Sequence, residues 1–215
     1  MQIAKTNMIE SQLKPEGINC EKTIDCILQI NREDFIPEKY INLSYSEYDI
    51  PLYDNYSMLR PVMIGKILQS LKIKKTDTIL EVGTGSGYLT CCLSILGGSV
   101  DTLDISKDMI QRAKKIHSYY NIHNINYIKK DIYSNWIPKK NYDVIVITGS
   151  IPKRIKKLEN LLNIDGRMFA VIGKNPVMIA NIISRMSSDK VICSQLFETL
   201  IEPLENINEK KDLIF

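Results

Sequence analysis

The sequence predicts an α/β fold, a doubly wound, mostly parallel sheet preceded by a helical extension. Three observations carry this reading. Residues 76–215 alternate short apolar runs with helix-period patterns, as strands joined by crossover helices do. Within them, a strand, a glycine loop and a helix start follow one another in Thr78-Ile-Leu-Glu-Val-Gly-Thr-Gly-Ser-Gly-Tyr88. Residues 1–72 lack the alternation and read as helices and irregular segments. At 215 residues the chain is expected to form one domain, with 1–72 as a lid-like extension and 73–215 as the α/β core.

The elements follow in order. Ile3 to Leu13 reads as a helix that stops before Pro15-Glu16-Gly17. Asn19 can cap a second helix with Ile24, Ile27, Leu28 and Ile30 on one face. Pro37 suits the first turn of a short piece ending near Tyr40. Residues 44–59, rich in Tyr, Ser and Asp, read as an ordered loop. Pro61 opens a helix whose buried stripe is Ile64, Ile67, Leu68 and Leu71. Strands are expected at Thr78–Val82, Ser99–Leu103, Ile125–Lys129, Tyr142–Thr148, Arg167–Ile172 and Val191–Phe197. Helices are expected at Tyr88–Leu96, Lys107–Tyr120, Pro152–Leu162 and Val177–Met186, and the tail from Asp212 to Phe215 can pair with the last strand.

Composition excludes several classes. Hydrophobic residues are 44% and charged residues 25%, which rules out a disordered or low-complexity chain. The balance of 28 basic and 25 acidic residues leaves +3, and the lysine runs are scattered, so they read as solvated surface and nucleic acid is not an expected partner. Two histidines, His117 and His123, weigh against a His-centred or metal site. The five cysteines form no CxxC pair. No apolar run reaches the roughly 18 residues of a membrane span. The expected location is the reducing cytoplasm.

The glycine loop carries the chemistry. Gly83, Gly85 and Gly87 are spaced GxGxG, where a dinucleotide fingerprint has its last glycine one residue later. That fingerprint cradles a pyrophosphate on a helix N-terminus. S-adenosylmethionine has no phosphate; it carries a sulfonium and an amino-acid end, and needs close backbone approach plus carboxylates. Carboxylates stand at the expected places. Glu81 ends the first core strand. Asp104 ends the second, 104 − 83 = 21 residues after the first glycine, where it can take ribose hydroxyls. Asp131 follows the third, where it can accept from an adenine amino group while Ile132 packs on the ring. Taken singly, they also read as an ion-pair partner, a helix cap and a turn residue. Their joint order favours an adenosyl cofactor, with Thr84, Tyr88 and Ile105 completing the cofactor-binding set.

The glycine loop resembles motif I of class I S-adenosylmethionine-dependent methyltransferases, whose core is Rossmann-like. Nearly the whole chain resembles protein-L-isoaspartate O-methyltransferase. Arg32-Glu-Asp-Phe-Ile-Pro37 is similar to that family's N-terminal signature, and Leu80-Glu-Val-Gly-Thr-Gly-Ser-Gly-Tyr-Leu-Thr90 to its motif I. Tyr142-Asp-Val-Ile-Val-Ile-Thr-Gly-Ser-Ile-Pro152 and Asp165-Gly-Arg-Met-Phe-Ala-Val-Ile-Gly173 resemble its later strands. The resemblance implies transfer of a methyl from S-adenosyl-L-methionine to the α-carboxylate of isoaspartyl residues in damaged proteins, leaving S-adenosyl-L-homocysteine. The ester then cyclises spontaneously to a succinimide. Isoaspartyl peptides or proteins are the implied partners.

Ser57-Met58-Leu59-Arg60-Pro61 departs from the family pattern. Leu59 stands where the family has a substrate-contacting serine, and Ser57 where it has threonine. Arg60 can hold a carboxylate bidentately, and equally reads as a surface residue at a helix start. Ser57, Leu59 and Arg60 form the expected substrate-binding set, together with the 148–152 turn. No single catalytic residue is expected, because a carboxylate is already ionised at pH 7. The alternatives are a divergent member with another acceptor and a non-catalytic, cofactor-binding protein. An RNA methyltransferase is a weaker third.

Overall fold

The structure, a computed structural model, describes residues 2–53, 56–138 and 140–205. The extension comprises α1 (Gln2–Met8), continued by a π-helical turn over Ile9–Leu13, and α2 (Glu21–Gln29). Two 3-10 turns follow, Arg32–Phe35 and Glu38–Leu43, then the two-residue strands β1 (Ile50–Pro51) and β2 (Ser57–Met58) and α3 (Pro61–Leu71). The core holds β3 (Thr78–Val82), α4 (Tyr88–Leu96), β4 (Ser99–Asp104), α5 (Lys107–Tyr119) and β5 (Ile125–Lys129). It continues through β6 (Tyr142–Ile151), α6 (Lys156–Glu159), β7 (Leu162–Lys174), β8 (Val177–Arg185) and β9 (Val191–Glu198). No helix among the described residues is long and apolar enough to cross a membrane.

The sheet runs β5-β4-β3-β6-β7-β8-β9. Its first five strands are parallel, and β8 and β9 complete it antiparallel. Strands β3 and β6 are nearly continuous apolar runs because both faces of the sheet are covered. One core gathers α2, α3 and α4 on the face carrying Val144, Val146 and Val171. The other packs Ile145, Ile147 and Ile151 against Leu158 and Leu161.

Two helical expectations are corrected. Val177–Met186, expected as helix, is strand over Val177–Arg185. A short apolar run does not fix its own period. Here Asn175 and Pro176 turn the chain directly back along β7, and β8 pairs with β7 over eight residue pairs, from Arg167↔Ser184 to Lys174↔Val177. Its Val and Ile side chains suit that pleated surface. Of Pro152–Leu162, Lys156–Glu159 alone is α-helical, and β6 runs on to Ile151 where the sequence suggested an end at Thr148. Two smaller corrections concern α2. Its N-cap is Cys20, not Asn19, and both residues' backbone N–H groups donate to the Gln69 side chain at 2.9 Å. Leu28 is exposed, and Thr23 and Cys26 join Ile27 in the core instead. The expected pairing of Asp212–Phe215 lies outside the described residues.

Arg32 fastens the extension to the core. It is 1% exposed. Its Nε donates to Ser44 O at 2.7 Å and its Nη2 to Leu59 O at 3.0 Å. The guanidinium also lies 4.9 Å over the Tyr88 ring, a cation–π contact strengthened by burial. One buried cation thereby holds the turn after α2, the loop before α3 and the start of α4 together.

Candidate active site

Strands β3 and β6 are neighbours, yet the chain leaves them in opposite directions, towards β4 and towards β7. Open α/β sheets bind ligands at such a switch point, outside the carboxyl ends of the strands. A cleft of about 1090 Å³ lies there. Gly83, Thr84, Gly85, Asp104, Ile105, Asp131 and Ile132 form one wall, and Ser57, Leu59, Ser150 and Met178 belong to the other.

The glycine loop has its shape for local reasons. Gly83, Gly85 and Gly87 have φ of 97°, 49° and 85°, in the region that favours glycine. A Cβ on Gly83 would stand 2.1 Å from Thr148 Oγ1, and one on Gly87 would stand 2.7 Å from Ala113 Cβ. Thr148 Oγ1 lies 3.0 Å from Val82 O and 2.8 Å from Gly83 O, so its hydroxyl donates to the loop's entrance. His117 closes the exit. Its Nε2 lies 2.8 Å from Gly87 O and its Nδ1 2.7 Å from Tyr127 Oη. A carbonyl can only accept, so the proton sits on Nε2 and Nδ1 accepts from the phenol. Burial lowers the histidine's pKa and keeps it neutral.

The three carboxylates differ in setting. Glu81 is fully buried. Its Oε2 accepts from the hydroxyls of Thr90 and Thr102, and its Oε1 has no hydrogen-bond partner. Burial pushes its pKa up to about 8, and nearby Asp104 pushes in the same sense. Asp104 accepts from Gly85 N at 3.1 Å and Ser106 N at 2.8 Å. Burial raises its pKa, and these backbone donors oppose the rise. Asp104 thus braces the glycine loop and borders the cleft. Asp131 Oδ1 accepts from Tyr133 N at 2.7 Å, and Ile132 beside it is buried.

The other expected residues fall as follows. Gly87 is the N-cap of α4 and does not line the cleft; a Cβ there would meet Ala113 and His117 instead. Tyr88 borders the cleft but is 1% exposed, with its ring edge-on to Phe35 at 5.4 Å. Ser57 is exposed on β2, and Leu59 packs half-buried against the first core. Arg60 is absent from the cleft wall. Its Nε stands 3.3 Å from Asp49 Oδ1, its Nη2 donates to Leu200 O at 3.2 Å, and it lines an adjoining groove of about 790 Å³. Tyr56 borders the cleft, and the Tyr53 ring lies 3.7 Å beneath the Arg112 guanidinium on α5.

Some parts of the site escaped sequence reasoning. The segment 200–205 straps across the ends of β3 and β6. Ser150 N donates to Glu202 O at 2.9 Å, and Leu204 N donates to Ser150 O at 3.0 Å. Gly149 admits the strap, since a Cβ there would stand 2.8 Å from Leu204 N. Lys174, which ends β7, and Asn175, in the turn to β8, also line the cleft. A strap without hydrophobic period leaves no pattern to read; Pro203 was its one signal.

The profile of the protein-L-isoaspartate(D-aspartate) O-methyltransferase family matches residues 4–208. A relative named protein-L-isoaspartate O-methyltransferase from Petrotoga mobilis is 32% identical over 167 residues, 77% of this chain and 78% of its own. One of the same name from Proteus mirabilis is 28% identical over 179 residues, 83% and 86% of the two chains. Among solved structures, a Plasmodium falciparum protein-L-isoaspartate O-methyltransferase in complex with S-adenosyl-L-homocysteine superposes with a TM-score of 0.80. It is 22% identical, and the match covers 94% of this chain and 97% of that one.

Proposed function

The chain belongs to the protein-L-isoaspartate(D-aspartate) O-methyltransferase family, and from that premise we infer that it methylates the α-carboxylate of isoaspartyl residues in damaged proteins. It is an S-adenosyl-L-methionine-dependent O-methyltransferase. The observation that supports the reading best is the meeting of the glycine loop, Glu81, Asp104 and Asp131 around one cleft at the β3/β6 switch point. Its five cysteines are free thiols, which suits a reducing cytoplasm.

The residues present fit the cofactor. The loop's first glycine lies where a side chain would collide, and Glu81 Oε1 is a buried acceptor with no partner. When bound, the cofactor supplies an electrophilic methyl on a sulfonium. Glu81 would face its amino-acid end, Asp104 its ribose hydroxyls, and Asp131 with Ile132 its base. The acceptor needs no general base, since its carboxylate is ionised near neutrality. The protein therefore has to align oxygen, carbon and sulfur and exclude water. Orientation of this kind is worth roughly 7–11 kcal/mol. The strap 200–205, the 56–59 segment and the β7–β8 turn supply the walls that do so.

Glu81 gives the reading a pH signature. With its pKa raised to about 8, the empty protein holds it mainly neutral at pH 7. The raised value means its contribution to folding is fully present below the ordinary carboxylate range and is lost as pH climbs through about 8. A cationic ligand end favours the carboxylate, so binding expels a proton. S-adenosylhomocysteine affinity, measured by calorimetry, should rise several-fold from pH 6 to 8. Glu81→Gln should flatten that rise; an unchanged slope in Glu81→Gln would place the coupled proton elsewhere. The activity itself is checked by incubating the protein with methyl-labelled S-adenosylmethionine and an aged protein. An alkali-labile label supports a carboxyl ester, whereas a stable label would point to another acceptor atom.

A further inference from the structure

We propose that the Ser150 hydroxyl is the donor that binds the acceptor carboxylate and turns its second oxygen towards the methyl group, an assignment that rests on the isoaspartyl reading. Of the other serine and threonine hydroxyls at the cleft, those of Thr84 and Thr148 are committed as donors within the protein. The Thr84 hydroxyl pairs with Thr102 Oγ1 at 2.7 Å, and that of Thr148 donates to Val82 O and Gly83 O. Ser86 Oγ accepts from Tyr88 N at 3.2 Å. Ser57 is exposed. Ser150 is 1% exposed and borders the cleft, and no hydrogen bond among the described residues involves its hydroxyl. The Tyr88 phenol is a buried cleft hydroxyl without a partner among them as well, but its ring is held between Arg32 and Phe35. A buried hydroxyl is normally hydrogen-bonded, so one left open to a ligand cleft points to a ligand oxygen.

Its position agrees. Ser150 lies at the carboxyl end of β6, across the switch point from Gly83. Its neighbour Ile151 belongs to the second core. Strand alternation therefore turns Ser150 to the other face, where Leu59, Met58 and Met178 pack. Its pairing partner Val171 belongs to that first core as well. The backbone of Ser150 is fixed on both sides by the strap, through its N–H to Glu202 O and its carbonyl from Leu204 N. The hydroxyl is thus held on a strand end fixed by the strap, in the same cleft as the half-buried Leu59, which offers no donor. In the reaction the free carboxylate oxygen forms the bond to the methyl carbon. The carbon–sulfur bond breaks with its electron pair left on sulfur, and no proton moves. Ser150 keeps its proton and orients the acceptor.

The test compares the wild type with Ser150→Ala on an isoaspartyl hexapeptide. The variant should lose about 10- to 100-fold in kcat/KM, the range for a hydrogen bond to a charged group. Its Kd for S-adenosylhomocysteine should stay within about 2-fold. An unchanged kcat/KM would overturn the proposal. So would an equal loss in S-adenosylhomocysteine affinity, since that would make Ser150 a support of the loop. If the wild type itself fails on the peptide while binding S-adenosylhomocysteine, the isoaspartyl reading falls, and this assignment falls with it. The wild-type measurement alone identifies that case.

Discussion

Gly83→Ala should abolish measurable cofactor binding and lower thermal stability together. Two costs coincide at this position. The backbone has φ of 97°, which strains any L side chain by about 1–2 kcal/mol. The new methyl would also stand 2.1 Å from Thr148 Oγ1, far inside contact distance. Thr148 cannot simply turn away, because its hydroxyl is committed to Val82 O and Gly83 O. Leu204 of the strap stands 3.6 Å from the same point. The loop would have to shift, carrying Gly85 off Asp104. Calorimetry with S-adenosylhomocysteine should show at least a 100-fold loss, roughly 2.7 kcal/mol, alongside a lower Tm. Gly85→Ala gives the contrast. Its Cβ meets nothing within 4 Å in the protein, so its Tm should fall much less, although its methyl would project towards the ligand. Equal Tm values for the two variants would mean that the Thr148 clamp does not shape the loop.

Asp104→Ala should weaken S-adenosylhomocysteine binding by about 10- to 150-fold, the 1.5–3 kcal/mol of hydrogen bonds to a charged group. The side chain does two jobs. It accepts from Gly85 N and Ser106 N, and it faces the cleft where a ribose would lie. Asp104→Asn separates them. An amide has one accepting oxygen, so it can keep one backbone bond and lose the other, and it carries no charge. An intermediate affinity for Asp104→Asn fits a dual role. Full affinity in Asp104→Ala would mean that the ribose site lies elsewhere.

Much of the fold was legible because burial on both faces writes apolar runs into β3 and β6, and the glycine loop marks the switch point. The meeting of Glu81, Asp104 and Asp131 at one cleft was legible for the same reason: they stand at or just after the carboxyl ends of strands, and strand ends are easy to find. The antiparallel edge was harder. Val177–Arg185 is apolar on both faces, so its period was ambiguous, and its pairing is set by β7, a long-range partner. The acceptor wall was hardest. Ser150 acquires meaning from the strap that passes over it, and the strap follows no period. Arg60 could be read as a carboxylate clamp from its position beside Leu59. Its actual partners, Asp49 and Leu200, lie 11 and 140 positions away in the chain and could not be read from it.

The central claim is methyl transfer to an isoaspartyl carboxylate, and a matched peptide pair tests it most directly. Two peptides of identical composition, one with L-isoaspartate and one with ordinary L-aspartate at a single position, are incubated with the protein and methyl-labelled S-adenosylmethionine. Alkali-labile label should enter the isoaspartyl peptide alone, with one S-adenosylhomocysteine formed per methyl transferred. Label in neither peptide, with S-adenosylhomocysteine still bound, or label in both equally, would contradict it.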